Sequence, residues 1–131
     1  MELRKTVAIK DTAKFYEENR YCVIREFIPP ILADYLYGYA MMRANRAKTM
    51  VKSKWPGYRE DLDGTYNDQQ VPNTYSCYAD PAMETLLSYG LKGMRDITGL
   101  NLKPTYSYWR LYKTGDVLKR HKDRPSCEVS T

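Results

Sequence analysis

The sequence contains a single histidine, His121, in 131 residues. A metal site built on two imidazoles is therefore out of reach of this chain alone. Cysteine is also scarce. Cys22, Cys77 and Cys127 are odd in number and have no metal-ligand spacing, which argues against a disulfide framework and a zinc ribbon. That usage fits a reduced compartment, and a cytoplasmic location is expected. No apolar run approaches the length of a membrane span. The start, MELRKTVAIKDTAKF, lacks the apolar core of a secretory signal. No membrane partner is expected. Internal repeats and low-complexity segments are absent as well.

What remains is a chain sized for one domain, 43% hydrophobic, with a formal charge of +5. Such a balance suits an anionic small molecule or a nucleic acid, and ordinary solubility also accounts for it. Residues 5 to 19 carry Ile9, Ala13 and Tyr16 at helical spacing. Tyr21 to Phe27 reads as a strand. Pro29-Pro30 opens a long helix, where a missing N–H costs nothing. Ile31, Leu32, Tyr35, Leu36, Tyr39 and Met42 give that helix an apolar stripe to about Arg46, expected to face the core.

From Ala47 to Pro72 the periodicity is lost, with Trp55-Pro56-Gly57 and Asp63-Gly64 as breakers. A connection of this length is commonly functional or disordered. The cations Arg43, Arg46, Lys48, Lys52 and Lys54 suit either a polyanion or a solvated helix end, and the helix end is favoured. Thr74 to Tyr78 reads as a short strand. Asp80-Pro81 is a helix start, an N-cap followed by proline. Met83, Leu86, Leu87, Leu91, Met94 and Ile97 share one face, and Gly99 is the expected left-handed stop. Gly90 and Gly93 suggest close packing of this helix on a sheet.

The stretch Thr105 to Thr131 carries the chemistry. Thr105 to Tyr112 has high strand propensity, Lys113 to Asp116 is a polar turn, and Val117 to Asp123 reads as a second strand. On a strand, His121 and Asp123 point to one side and can reach one metal ion. A hairpin centred on Thr114-Gly115 sets Tyr108 opposite His121 and Tyr106 opposite Asp123. The metal face then carries Tyr106, Tyr108, Arg110 and Tyr112, with Ser107, Trp109 and Leu111 behind it. A one-residue slip exchanges the two sets.

The segment from Tyr106, above all YWRLYKTGDVLKRHKD, resembles the start of the catalytic core of Fe(II)/2-oxoglutarate-dependent dioxygenases. The resemblance is to the prolyl 4-hydroxylase-like branch, including phage-encoded versions, for which a host cytoplasm is implied. The upstream order of elements is similar too. The resemblance implies an α+β chain, with helices on an incomplete antiparallel sheet that forms the first half of a double-stranded β-helix, or jelly roll. Residues 1–100 would be a support region and residues 101–131 the start of the catalytic core.

The resemblance also implies Fe(II) held by His121 and Asp123, and 2-oxoglutarate gripped by Tyr112, with Tyr108 as a further contact. Arg124 would guide substrate or pair with an acid. O₂ is the co-reactant, ascorbate an accessory reductant, and the hydroxylated substrate a peptide, an amino acid or another small molecule. The loop before Pro72 would lie on the substrate side. In such enzymes the second histidine and a basic anchor follow several dozen residues later, so the chain reads as the N-terminal part of a single partial domain, inactive by itself. Its sheet would carry an uncovered edge.

An H-x-D triplet by itself is a weak signal, and a surface histidine among Lys119, Arg120 and Lys122 is its bland counterpart. The phospholipase D pattern is excluded, because Asp123 stands where that motif needs lysine. The competing reading is a non-catalytic module that binds protein or nucleic acid. Thirteen interleaved tyrosines would suit base stacking. Most of them sit at core spacing, which disfavours nucleic acid.

Overall fold

A computed structural model describes residues 11–131. The chain is α+β, with four helices and one two-stranded antiparallel sheet among these residues. Helix α1 spans Thr12–Asn19, α2 Pro30–Lys52, α3 Glu60–Asp63 and α4 Pro81–Thr98. Strand β1 is Tyr75–Tyr78 and β2 is Tyr108–Leu111. No helix among the described residues is long and apolar enough to cross a membrane. Positions 5–10 of the first expected helix lie outside the described residues.

Local chemistry explains the helix ends. Pro30 opens α2 at its first turn, as anticipated. Asp80 caps α4, accepting from the backbone N–H groups of Ala82 at 3.0 Å and Met83 at 3.4 Å. Gly99 closes α4 at φ 70°, and its N–H donates to the Arg95 carbonyl. Gly93 has a different role from the one expected. A Cβ there would meet the Phe27 ring at 2.7 Å, so the helix admits an aromatic ring and not the sheet.

The core lies where α2 meets the sheet. Ala44, Ala47, Tyr75 and Cys77 are buried together, and Tyr58, Tyr66, Trp109 and Leu111 pack around them. Ala44 and Ala47, one turn apart, leave room for the Tyr75 and Cys77 side chains of β1. This rotates α2 from the expected orientation. Ala40, Ala44 and Ala47 are buried, while Ile31, Tyr35 and Met42 of the anticipated core stripe are exposed. Leu32, Leu36 and Tyr39 are partly buried.

Two strand expectations are corrected. Tyr21 to Phe27 is not a strand; Glu26 takes φ 53°, which breaks an extended run, and Phe27 inserts beside α4. Val117 to Asp123 is not a strand either, so the expected hairpin is absent. β2 pairs instead with β1, in the register Tyr75↔Leu111, Ser76↔Arg110, Cys77↔Trp109 and Tyr78↔Tyr108. The reason is burial. Trp109 and Leu111 meet Tyr75 and Cys77 across the core, whereas Val117 is 70% exposed and its neighbours Lys119, Arg120 and Lys122 offer nothing to bury.

The turn after β2 does form. The Asp116 N–H donates to the Lys113 carbonyl at 3.0 Å, and Gly115 takes φ 92°. The Asp116 carboxylate accepts from Thr74 Oγ1 at 2.6 Å and from Lys113 Nζ at 2.6 Å. These bonds tie the turn to the start of β1, and the chain leaves it irregular. β1 is flanked on its other side by a single bridge to Thr65. The outer edge of β2 has no ladder partner among the described residues.

Candidate metal site and adjoining cleft

The alternation expected along β2 holds. Trp109 and Leu111 face the core, and Tyr108 and Arg110 project from the opposite face. That opposite face is built around Asp68, a residue the sequence reading passed over. Arg110 Nε lies 2.5 Å from Asp68 Oδ2, and the Tyr108 hydroxyl donates to the same oxygen at 2.6 Å. The backbone N–H groups of Gln70 at 2.8 Å and Val71 at 3.3 Å donate to Oδ1. Burial alone raises the Asp68 carboxyl. The Arg110 guanidinium, the Tyr108 hydroxyl and the two N–H groups more than reverse this, holding it well below the usual carboxylate range. An Asp whose side chain accepts from the second and third residues after it is a turn signal available from sequence.

Arg110 reaches further. Its Nη2 donates to Gln70 Oε1. The segment Asp68 to Val71 is thus fixed at backbone and side chain against β2. Gln69, Gln70 and Pro72 then form one wall of a cleft whose other wall is Val117 to His121. Its volume is about 280 Å³. The end of the long polar loop and the H-x-D segment therefore meet, although no hairpin joins them.

His121 and Asp123 lie side by side on irregular backbone, with Nε2 3.3 Å from Oδ1. His121 Nδ1 lies 2.9 Å from the Lys119 carbonyl oxygen. A carbonyl only accepts, so Nδ1 carries the proton in that bond. Nε2 then faces a carboxylate oxygen. A lone pair against an anion is unfavourable unless a second proton or a cation lies between them. The other Asp123 oxygen accepts from Ser130 Oγ at 3.1 Å, and Ser130 in turn contacts Cys127 Sγ at 3.2 Å. Both metal candidates are partly open, at 33% and 46% side-chain exposure. No group of three or more His, Cys, Asp or Glu side chains able to hold a metal occurs among the described residues.

The other expected site residues are placed as follows. Tyr112 is 52% exposed, just past β2, beside Arg110. The Tyr108 hydroxyl is committed to Asp68, and the strand partner of Tyr108 is Tyr78, where His121 was expected. Arg124 meets rings instead of an acid. Its guanidinium sits 4.3 Å from the Tyr106 ring centre and 5.6 Å from that of Tyr78. This stacking fastens the H-x-D segment to the end of the sheet. Among the described residues, no ladder or hydrogen bond joins Tyr112 or Tyr108 to His121 or Asp123.

Two of the five cations in the basic run are occupied internally. Arg43 Nε lies 3.3 Å from the fully buried Asp80 carboxylate, and Arg46 Nη1 lies 2.7 Å from Asp63. Both brace α2 against its neighbours; Arg43 is largely buried, whereas the Arg46 side chain stays more than half exposed. Cys77 is buried beside this cluster, and burial pushes its thiol up, away from nucleophilic use. No protein-family model, curated protein or solved structure matches the chain.

Proposed function

We propose that this chain supplies the H-x-D half of the iron site of an Fe(II)- and 2-oxoglutarate-dependent oxygenase, a hydroxylase resembling prolyl 4-hydroxylases. The observation that carries the reading is the facing pair, His121 Nε2 and Asp123 Oδ1, 3.3 Å apart, with Nδ1 anchored on a carbonyl. Donors that share one ion at about 2.0–2.2 Å each lie roughly 3 Å from one another, so the pair fits a common metal. A carbonyl on the distal nitrogen is the support that orients a ligating imidazole, and Ser130 gives Asp123 a comparable support.

The residues present fit iron as two of its ligands. The second histidine and the basic anchor for 2-oxoglutarate would come from a further segment or another chain, which would also extend the sheet toward a jelly roll from the open edge of β2. When bound, Fe(II) with 2-oxoglutarate and O₂ supplies the oxidising power for C–H hydroxylation. His121 and Asp123 hold the metal. Tyr112, exposed beside Arg110, offers its hydroxyl to the cosubstrate carboxylate. The Tyr108 hydroxyl already donates to Asp68, so its part is to fix Arg110 and the Gln70 loop. Arg124 keeps the ligand segment in place through its contact with Tyr106.

Succinate formation tests the proposal. A polypeptide extended to include the second histidine, loaded with Fe(II) without oxygen and then exposed to O₂, is expected to convert 2-oxoglutarate to succinate. The chain of 131 residues by itself is expected to be inactive. His121→Ala or Asp123→Ala in the extended polypeptide abolishes turnover if each holds the metal. Undiminished succinate from His121→Ala would overturn the assignment.

A further inference from the structure

The cleft beside His121 is mostly apolar, with a few polar groups set into its wall. Its wall residues Gln70, Lys119 and Arg120 offer hydrogen-bond donors, and no acidic side chain lines it. Gln70 is the fixed member. Arg110 has only donors, so the side-chain atom of Gln70 that faces it is the amide oxygen. The amide NH₂ is thereby turned away from Arg110, and it has no hydrogen-bond acceptor among the described residues. The orientation is held from behind. Asp68 clamps Arg110, and Asp68 Oδ1 also accepts the Gln70 backbone N–H. Val117, Leu118 and Pro72 contribute to the apolar surface that makes up the larger part of the wall.

We infer that this cleft binds the substrate to be hydroxylated, and that the substrate is a small acid whose carboxylate is received by the Gln70 amide between Lys119 and Arg120. The inference rests on the metal reading of His121, which forms the end of the cleft. Size supports it. A volume of 280 Å³ corresponds to about nine water molecules at about 30 Å³ each, room for a molecule of amino-acid size. Two cations in the lining, with Asp123 engaged by His121, favour an anion over a neutral carbonyl. Gln70 is a specificity residue in this account; its NH₂ sets where the carboxylate lies relative to the metal pair.

The test uses the metal-free chain and N-acetylglycine, a simple carboxylate without a 2-oxo group, followed by the side-chain amide resonances of Gln70 in a ¹⁵N NMR titration. N-Acetylglycine methylamide serves as the neutral arm. The carboxylate is expected to shift the Gln70 NH₂ pair and neighbouring His121 signals, with the methylamide at least tenfold weaker. Gln70→Glu keeps an oxygen for Arg110 and replaces the donor by an anion. It is expected to weaken N-acetylglycine at least tenfold, the scale of one hydrogen bond to a charged acceptor. Mn(II) binding at His121 and Asp123 should persist in the same variant. Unmoved Gln70 signals at high N-acetylglycine, or binding unchanged in Gln70→Glu, would overturn the inference while leaving the metal reading intact. Loss of Mn(II) binding in the unsubstituted chain would instead remove the metal reading.

Discussion

Replacing Arg110 by methionine tests the buried polar face of β2. Methionine conserves much of the stem volume and removes the cation. The Asp68 and Arg110 side chains are only 4% and 9% exposed, so solvent screening is slight. Breaking a buried ion pair by deleting one partner costs about 3–5 kcal/mol, because the remaining charge stays desolvated. Asp68 would still accept from the Tyr108 hydroxyl and from the Gln70 and Val71 N–H groups, which places the loss near the low end, about 3 kcal/mol. Urea unfolding followed by tryptophan fluorescence measures it, Trp109 being the residue next in sequence. Adding Asp68→Asn to Arg110→Met should recover part of the loss, and a double-mutant cycle should give a coupling of about 2 kcal/mol. A cost below about 1 kcal/mol for Arg110→Met would refute the reasoning, since that is what an exposed pair contributes.

Asp80→Ala removes the α4 cap and leaves Arg43 facing an empty site. Its cost should be about 3 kcal/mol in a thermal melt, well above that of a cap alone. Acid should destabilise the fold through Asp116, whose carboxyl is lowered to about 2 by Lys113, Thr74 and the Lys113 N–H. A depressed folded value means that its stabilisation is present above the unfolded value of about 4 and is lost as pH falls toward about 2. Asp68 adds in the same direction, and Asp116→Asn should flatten the acid limb of a stability–pH profile. At the alkaline end, burial and the hydrogen bond to Asp80 push Tyr39 up to about 12. The contribution of Tyr39 is therefore full below about 10 and is lost as pH rises through about 12, and Tyr39→Phe should remove that alkaline limb.

The starts of α2 and α4 and the end of α4 were legible because they are written in local chemistry, whereas α3 and the last turn of α2 fall in the stretch read as an aperiodic loop. Pro30, the Asp80-Pro81 pair and Gly99 each act within one turn of their own position. The face that α2 turns inward was not legible. Large apolar residues such as Ile31 and Met42 dominate a periodicity count, yet Ala40, Ala44 and Ala47 are the buried residues of α2, the last two against Tyr75 and Cys77. Strand pairing was missed for a related reason. Nearness in sequence favoured a hairpin, whereas a partner some 30 positions upstream offered Tyr75 and Cys77 for burial. At the candidate site, the H-x-D spacing together with the family resemblance singled out His121 and Asp123; the strand geometry invoked for them is absent, and irregular backbone sets them side by side. The contact between Gln70 and Arg110 was invisible because it spans 40 positions.

Paramagnetic broadening by Mn(II) tests the central claim most directly, because it reports which nuclei lie beside the ion without requiring turnover. Substoichiometric Mn(II), added to the chain at neutral pH, should broaden the His121 ring protons and the Asp123 amide first. The same addition to His121→Ala should leave the Asp123 signal sharp. Broadening that begins elsewhere, or that is unchanged in His121→Ala, would contradict the account.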